Sequence, residues 1–129
     1  PGTGDTQLTF SQEIKMDGAI IISTPQEVAL LDVKRGIKMF DKLGVKILGL
    51  VDNMSYFTGD DGKKYKIFGE GGVKRTAEEF GKEFLGEIPL NPEVGKCGDE
   101  GKPIVEANPD HEISKIYFEF ANKIKKIYL

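Results

Sequence analysis

Ala19-Ile20-Ile21-Ile22-Ser23 runs into Thr24-Pro25-Gln26, and a helical pattern follows from Gln26 to Leu43. An apolar, β-branched run without polar alternation is the mark of a strand buried on both faces. The run therefore reads as a central strand. Beyond it Val28, Leu31, Ile37 and Phe40 recur at helical spacing, with Pro25 just before the first turn and Gly44 just after the last. Lys46-Ile47-Leu48-Gly49-Leu50-Val51 then reads as a second buried strand. Strand, helix and strand in this order predict an α/β domain of parallel strands joined by crossover helices.

The same alternation continues outward from this unit. A helix is expected over Thr6 to Lys15, with Leu8 and Phe10 its main apolar residues and Met16-Asp17-Gly18 its stop. Downstream, Tyr56-Phe57, Thr58-Gly59-Asp60-Asp61-Gly62 and Lys64-Tyr65-Lys66-Ile67-Phe68 predict a short excursion or hairpin around a glycine turn. Helix resumes from Val73 to Phe80, and Phe84-Leu85-Gly86-Glu87-Ile88-Pro89 reads as a third strand stopped by proline. Asn91-Pro92-Glu93 initiates a short helix, and Glu112 to Tyr128 forms the last one. No repeat, linker or low-complexity tract divides the chain, so residues 1–129 are expected to belong to one domain.

Composition excludes several function classes. A formal charge of -3 provides no basic field for nucleic acid. Cys97 is the only cysteine, which removes any intramolecular disulfide framework or cysteine-built zinc site and suits a reducing cytoplasm. No apolar run approaches the roughly 18–20 residues of a membrane span. The first residue is Pro rather than Met, as expected of a segment of a longer polypeptide.

Ligands of open parallel sheets bind outside the carboxyl ends of the strands, so the three strand ends are the candidate site. Ser23-Thr24-Pro25-Gln26 offers hydroxyls that cap the next helix. At Val51-Asp52-Asn53-Met54-Ser55, the Asn53 amide either donates to and accepts from an adenine edge or simply makes a turn. Ile88-Pro89-Leu90 is either a rigid surface against a flat base or a strand terminator. The string Gly-x-x-x-x-Gly-Lys-[Ser/Thr], whose backbone amides and lysine grip phosphates, does not occur.

Taken in order, Pro1-Gly2-Thr3-Gly4-Asp5, Ile21-Ile22-Ser23-Thr24-Pro25-Gln26-Glu27-Val28-Ala29-Leu30-Leu31-Asp32-Val33, Leu48-Gly49-Leu50-Val51-Asp52-Asn53-Met54-Ser55-Tyr56-Phe57, Ile67-Phe68-Gly69-Glu70-Gly71-Gly72, Leu85-Gly86-Glu87-Ile88-Pro89-Leu90 and Gly101-Lys102-Pro103-Ile104 resemble the Mrp/ApbC-type P-loop ATPases. These are relatives of MinD and of nitrogenase iron protein, associated with carrying or assembling iron–sulfur clusters. The resemblance implies the carboxyl-terminal portion of a doubly wound, mostly parallel sheet flanked by helices. It places Gly2, Thr3, Gly4 and Asp5 in switch II, which senses the γ-phosphate, and puts Asn53, Pro89, Leu90 and Val94 at the adenine. ATP and Mg²⁺ belong, on this reading, to the full-length protein, as do a homodimer and iron–sulfur client proteins. These 129 residues alone are expected to be inactive, lacking the phosphate loop and the Walker B aspartate.

One departure bears on the cargo. Cluster-holding members carry Cys-x-x-Cys shortly after Asn-Met-Ser-Tyr-Phe, whereas Thr58-Gly59-Asp60-Asp61-Gly62-Lys63-Lys64-Tyr65 has no cysteine, which argues against a cluster held there. A MinD-like positioning ATPase acting at a membrane or on a partner protein is the alternative. Its membrane helix has a counterpart here in Ile113, Ile116, Tyr117, Phe120, Ile124 and Ile127, which form one apolar stripe. Such a stripe is expected to pack on the sheet rather than on lipid.

Overall fold

The computed structural model describes residues 4–129. Its elements are α1 (Asp5–Glu13), β1 (Ala19–Ser23), α2 (Glu27–Leu43), β2 (Ile47–Asn53), β3 (Phe57–Thr58), β4 (Lys64–Tyr65), α3 (Gly72–Glu79), β5 (Phe84–Ile88), α4 (Pro92–Asp99), α5 (Ile104–Ala107) and α6 (Glu112–Tyr128). β1, β2 and β5 form a parallel sheet in the order β1-β2-β5, and β3 pairs with β4 in a separate antiparallel hairpin. The helix predicted to end the chain has the expected bounds, but α5 lacks any helical period in the sequence because it is only four residues long.

β2 is buried on both faces, and successive side chains of a strand point to opposite sides. Leu50 therefore joins Leu30, Val33, Ile37, Val73 and Ala77 in a core under α2 and α3. Val51 joins Leu85, Ile88, Cys97, Ile104, Ile113 and Phe120 in a second core under α4, α5 and α6. Two sequence expectations meet a different outcome among the described residues. β1 borders the sheet there, and Ile20 and Ile22 remain 42% and 57% exposed. The cause is that α2 covers one face of β1 while α6 packs over β5, leaving the other face of β1 bare. The buried face of α2 is Leu30, Val33, Gly36 and Ile37, whereas Val28 and Leu31 are exposed; both faces of this helix carry apolar residues, so spacing alone chose the wrong pair.

β5 accommodates α6 through a bulge. The register passes from Leu50↔Phe84 to Val51↔Gly86, so β5 carries one extra residue there. Gly86 has φ 142°, and a Cβ at this position lies 2.8 Å from a ring carbon of Phe120. Only glycine satisfies both the backbone angle and the close ring. α6 is further tied to the sheet by Lys123 Nζ donating to Leu85 O at 2.7 Å and Tyr128 OH donating to Leu48 O at 3.0 Å. Ile113, Ile116, Phe120 and Ile124 of its stripe thus serve the core, while Tyr117 and Ile127 stay exposed, and among the described residues no helix is long and apolar enough to cross a membrane.

Phe120→Ala is expected to destabilise the chain by about 3–5 kcal/mol, the cost of emptying a buried aromatic site. Gly86→Ala should destabilise it through ring displacement and backbone strain. Denaturant melts of both variants check this, and a wild-type midpoint for Phe120→Ala would mean that α6 does not close the second core.

Candidate functional site

The carboxyl ends of the three parallel strands lie along one border of the sheet, with Ser23↔Asp52 and Asn53↔Ile88 in register. Beyond the ladder, the Ser55 N–H donates to Ile88 O at 3.0 Å and the Leu90 N–H donates to Tyr56 O at 2.7 Å. These bonds knit the two chain exits together. Met54, between them, takes a left-handed conformation with φ 53°, uncommon for a residue with a side chain.

Asn53, Met54, Ile88, Pro89, Leu90, Asn91, Pro92, Val94, Gly95 and Tyr117 enclose a cavity of about 330 Å³. Asn53, Pro89, Leu90 and Val94 are the four residues that the family resemblance puts at the adenine, and the fold gathers them in one place. Asn91 holds its wall in shape: its side-chain oxygen accepts from the Glu93 N–H at 2.9 Å and caps α4, with Pro92 at the first helical position. No lining residue is charged, in a chain of which 30% is charged. Such a cavity disfavours phosphate or carboxylate and suits a neutral, flat, hydrogen-bonding group.

The residues that the resemblance assigns to switch II fall elsewhere. Gly4 is the N-cap of α1 and Asp5 its first residue, bordering a shallow hollow with Thr6, Thr9, Phe10, Glu13 and Ile14. Gly2 and Thr3 lie outside the described residues. The expected helix cap at the first strand end is not formed. The Ser23 hydroxyl donates to Thr24 O and the Thr24 hydroxyl donates to the Gln26 side chain, leaving Gln26 as an N-cap without a side-chain bond.

Asp52 is a feature that the sequence reading passed over. It is 1% exposed, and its Oδ1 has no hydrogen-bond partner among the described residues. Strand alternation turns it to the face opposite Asn53, with Glu87 beside it in register on β5. Burial pushes its carboxyl up to about 6, Glu87 adds to the rise, and the Lys66 ammonium opposes it. The Lys64 and Lys66 ammoniums sit 4.5 and 5.3 Å from the Tyr56 ring centroid, a cation–π arrangement that fixes the hairpin against the strand exit. Burial, then Glu112 and Glu87, raise the Tyr56 phenol, and Lys66 lowers it. A carboxylate interrupting an apolar strand was the visible signal for this cluster.

Cys97 is buried in the second core, and burial pushes its thiol up, away from the thiolate form. Among the described residues no group of three or more His, Cys, Asp or Glu side chains is placed to hold a metal ion.

Comparison with known proteins bears on the family and the fold. The family described as ParA, the NUBPL iron-transfer P-loop NTPases, matches residues 1–125. The chain is 42% identical over 128 residues to an iron-sulfur cluster carrier protein of Aquifex aeolicus, covering 98% of this chain and 35% of the relative. It is 48% identical over 127 residues to an Arabidopsis thaliana iron-sulfur protein required for NADH dehydrogenase, mitochondrial, covering 98% and 41%. It superposes on a nucleotide-binding protein from Archaeoglobus fulgidus solved in complex with ADP, with TM-score 0.72 and 39% identity, over 85% of this chain and 45% of that one. The chain therefore spans between a third and a half of the length of these proteins.

The Asp52 carboxyl has a sign-defined effect on stability. A carboxyl with a higher pKa folded than unfolded stabilises the fold below pH 3.8, and that contribution is lost as pH rises through about 6. Asp52→Asn is expected to gain up to about 3 kcal/mol at neutral pH, at ~1.4 kcal/mol per pKa unit, and to flatten the dependence across that window. Urea melts at a series of pH values read both, and an unchanged slope would assign the titration to another group.

Proposed function

Because this chain belongs to the NUBPL iron-transfer P-loop NTPase family, we propose that it is the base-reading, hairpin-bearing segment of an ATP-dependent iron–sulfur cluster carrier. The observation that carries this reading is the uncharged cavity at the ends of β2 and β5. Asn53 presents an amide that donates to and accepts from the adenine edge, while Pro89, Leu90 and Val94 supply apolar contact. Gly2, Thr3, Gly4 and Asp5 act as switch II, answering to the γ-phosphate that a phosphate loop elsewhere in the polypeptide holds together with Mg²⁺.

The cluster is cargo. With Cys97 buried and the hairpin free of cysteine, its thiolate ligands come from outside this segment. Nucleotide binding changes how two copies of the ATPase meet and so gates delivery to client proteins. A single thiol suits the reducing environment of a cytoplasm.

Asn53→Ala, in the polypeptide that also carries the phosphate loop, is expected to weaken ATP binding several-fold. One base hydrogen bond is worth about 0.5–1.5 kcal/mol, and inorganic triphosphate binding should be unchanged. Equal loss for both ligands would point to a structural role for Asn53. These 129 residues alone are expected to show no ATP turnover in a steady-state assay; turnover that survives repurification and responds to a point change in this chain would overturn that.

A further inference from the structure

Tyr117 breaks the burial pattern of its own helix. On α6 it shares a face with Ile113, four residues before it, and Phe120, three after, both of them buried. Tyr117 is 38% exposed between them. It lines a space together with Pro89, Leu90, Asn91 and Pro92, where β5 has ended and the chain turns. That space is the uncharged cavity, and Tyr117 contributes its only aromatic wall.

The ring is held in place from behind. Phe120 meets it edge-on, with centroids 6.4 Å apart and planes at 68°, and Phe120 is itself pinned on Gly86. The helix start is anchored independently: the buried Ser114 hydroxyl lies 2.7 Å from Asn108 O and 3.1 Å from Ile104 O, and His111 Nδ1 accepts from the Ile113 N–H. The phenol hydroxyl makes no hydrogen bond among the described residues, so packing sets the position of the ring. A second hollow of about 350 Å³, lined by Gly98, Pro103, Ile104 and Val105, shares Val94 and Tyr117 with the first.

We propose that Tyr117 is the aromatic surface on which the purine base stacks, making α6 part of the nucleotide site. This rests on the base-binding reading of the cavity given above. Every base has a π face that an aromatic side chain accepts, whereas the Asn53 amide reads an edge. Face and edge contacts together orient a base that no charged group could hold.

Adenosine is the probe, because the chain has no phosphate loop and only base contacts are then measured. In heteronuclear NMR titrations, adenosine should shift the Asn53 side-chain amide and the Tyr117 ring protons, and ribose should shift neither. Tyr117→Leu, which keeps bulk but removes the ring, should weaken adenosine binding by about five- to a hundredfold, the range found when a stacking aromatic is lost. Tyr117→Phe should bind as wild type does. Thermal melts show whether each variant is folded. Adenosine shifts at Asn53 with unchanged affinity in Tyr117→Leu would overturn the stacking role and leave the base reading standing. No response of the wild-type chain to adenosine would overturn both.

Discussion

Everything in this chain depends on the double burial of β2. A strand flanked by parallel partners and covered on both faces must send consecutive side chains into two different cores, and Leu50 and Val51 do so. The core of α2 and α3 then cannot grow at the expense of the core of α4, α5 and α6. Each buried Leu, Ile, Val or Phe side chain contributes about 1.5–3 kcal/mol, so a one-residue slip of β2 would forfeit both layers together. The bulge in β5 belongs to the same constraint: Leu85 and Gly86 both turn to the α6 side, which gives Phe120 its seat on bare backbone.

Alternation also sorts chemistry at the strand ends. Asn53 and Asp52 are neighbours in the chain but project to opposite faces, so the uncharged cavity and the charged cluster never compete for one space. On one side stand Asn53, Pro89, Leu90, Val94 and Tyr117. Asp52, Glu87 and Lys66 occupy the other, with the hairpin held through Tyr56. A change at the cavity wall is therefore one peptide unit from the group that faces the hairpin, and Met54, in its left-handed conformation, is the next residue on.

The long elements were legible because their signals are local. Parallel strands buried in a core read as apolar runs, and Pro25 and Gly44 bracket α2 in the sequence as they do in space. What resisted was relational. The exposure of Ile20 and Ile22 depends on which helix covers β1, and no window of sequence contains that information. The candidate site divides in the same way: Asn53, Pro89 and Leu90 were named from their places in strings that resemble the family's and Val94 as their apolar neighbour, whereas Tyr117 read as one more stripe residue. Its exposure follows from where β5 stops, some thirty residues earlier in the chain. Asp52 was in plain view, but its significance lies in Glu87 standing beside it.

The hairpin shows how local hydrogen bonding can close a loop without a bound group. The Gly59 N–H donates to Lys63 O at 2.9 Å, the Gly62 N–H donates to Gly59 O at 2.9 Å, and Gly62 takes the positive φ that the turn requires. Asp61 ties the turn to the returning limb, accepting from the Lys63 N–H on one carboxylate oxygen and from the Tyr65 hydroxyl on the other. Those two bonds hold the Asp61 carboxyl below its usual range, so the clasp is made by the charged form. Where the family resemblance leads one to expect Cys-x-x-Cys, this chain has a loop whose shape is satisfied by its own polar groups. The hairpin closes on these polar groups and leaves Phe57 and Tyr65 exposed, with Ile67 exposed just beyond it.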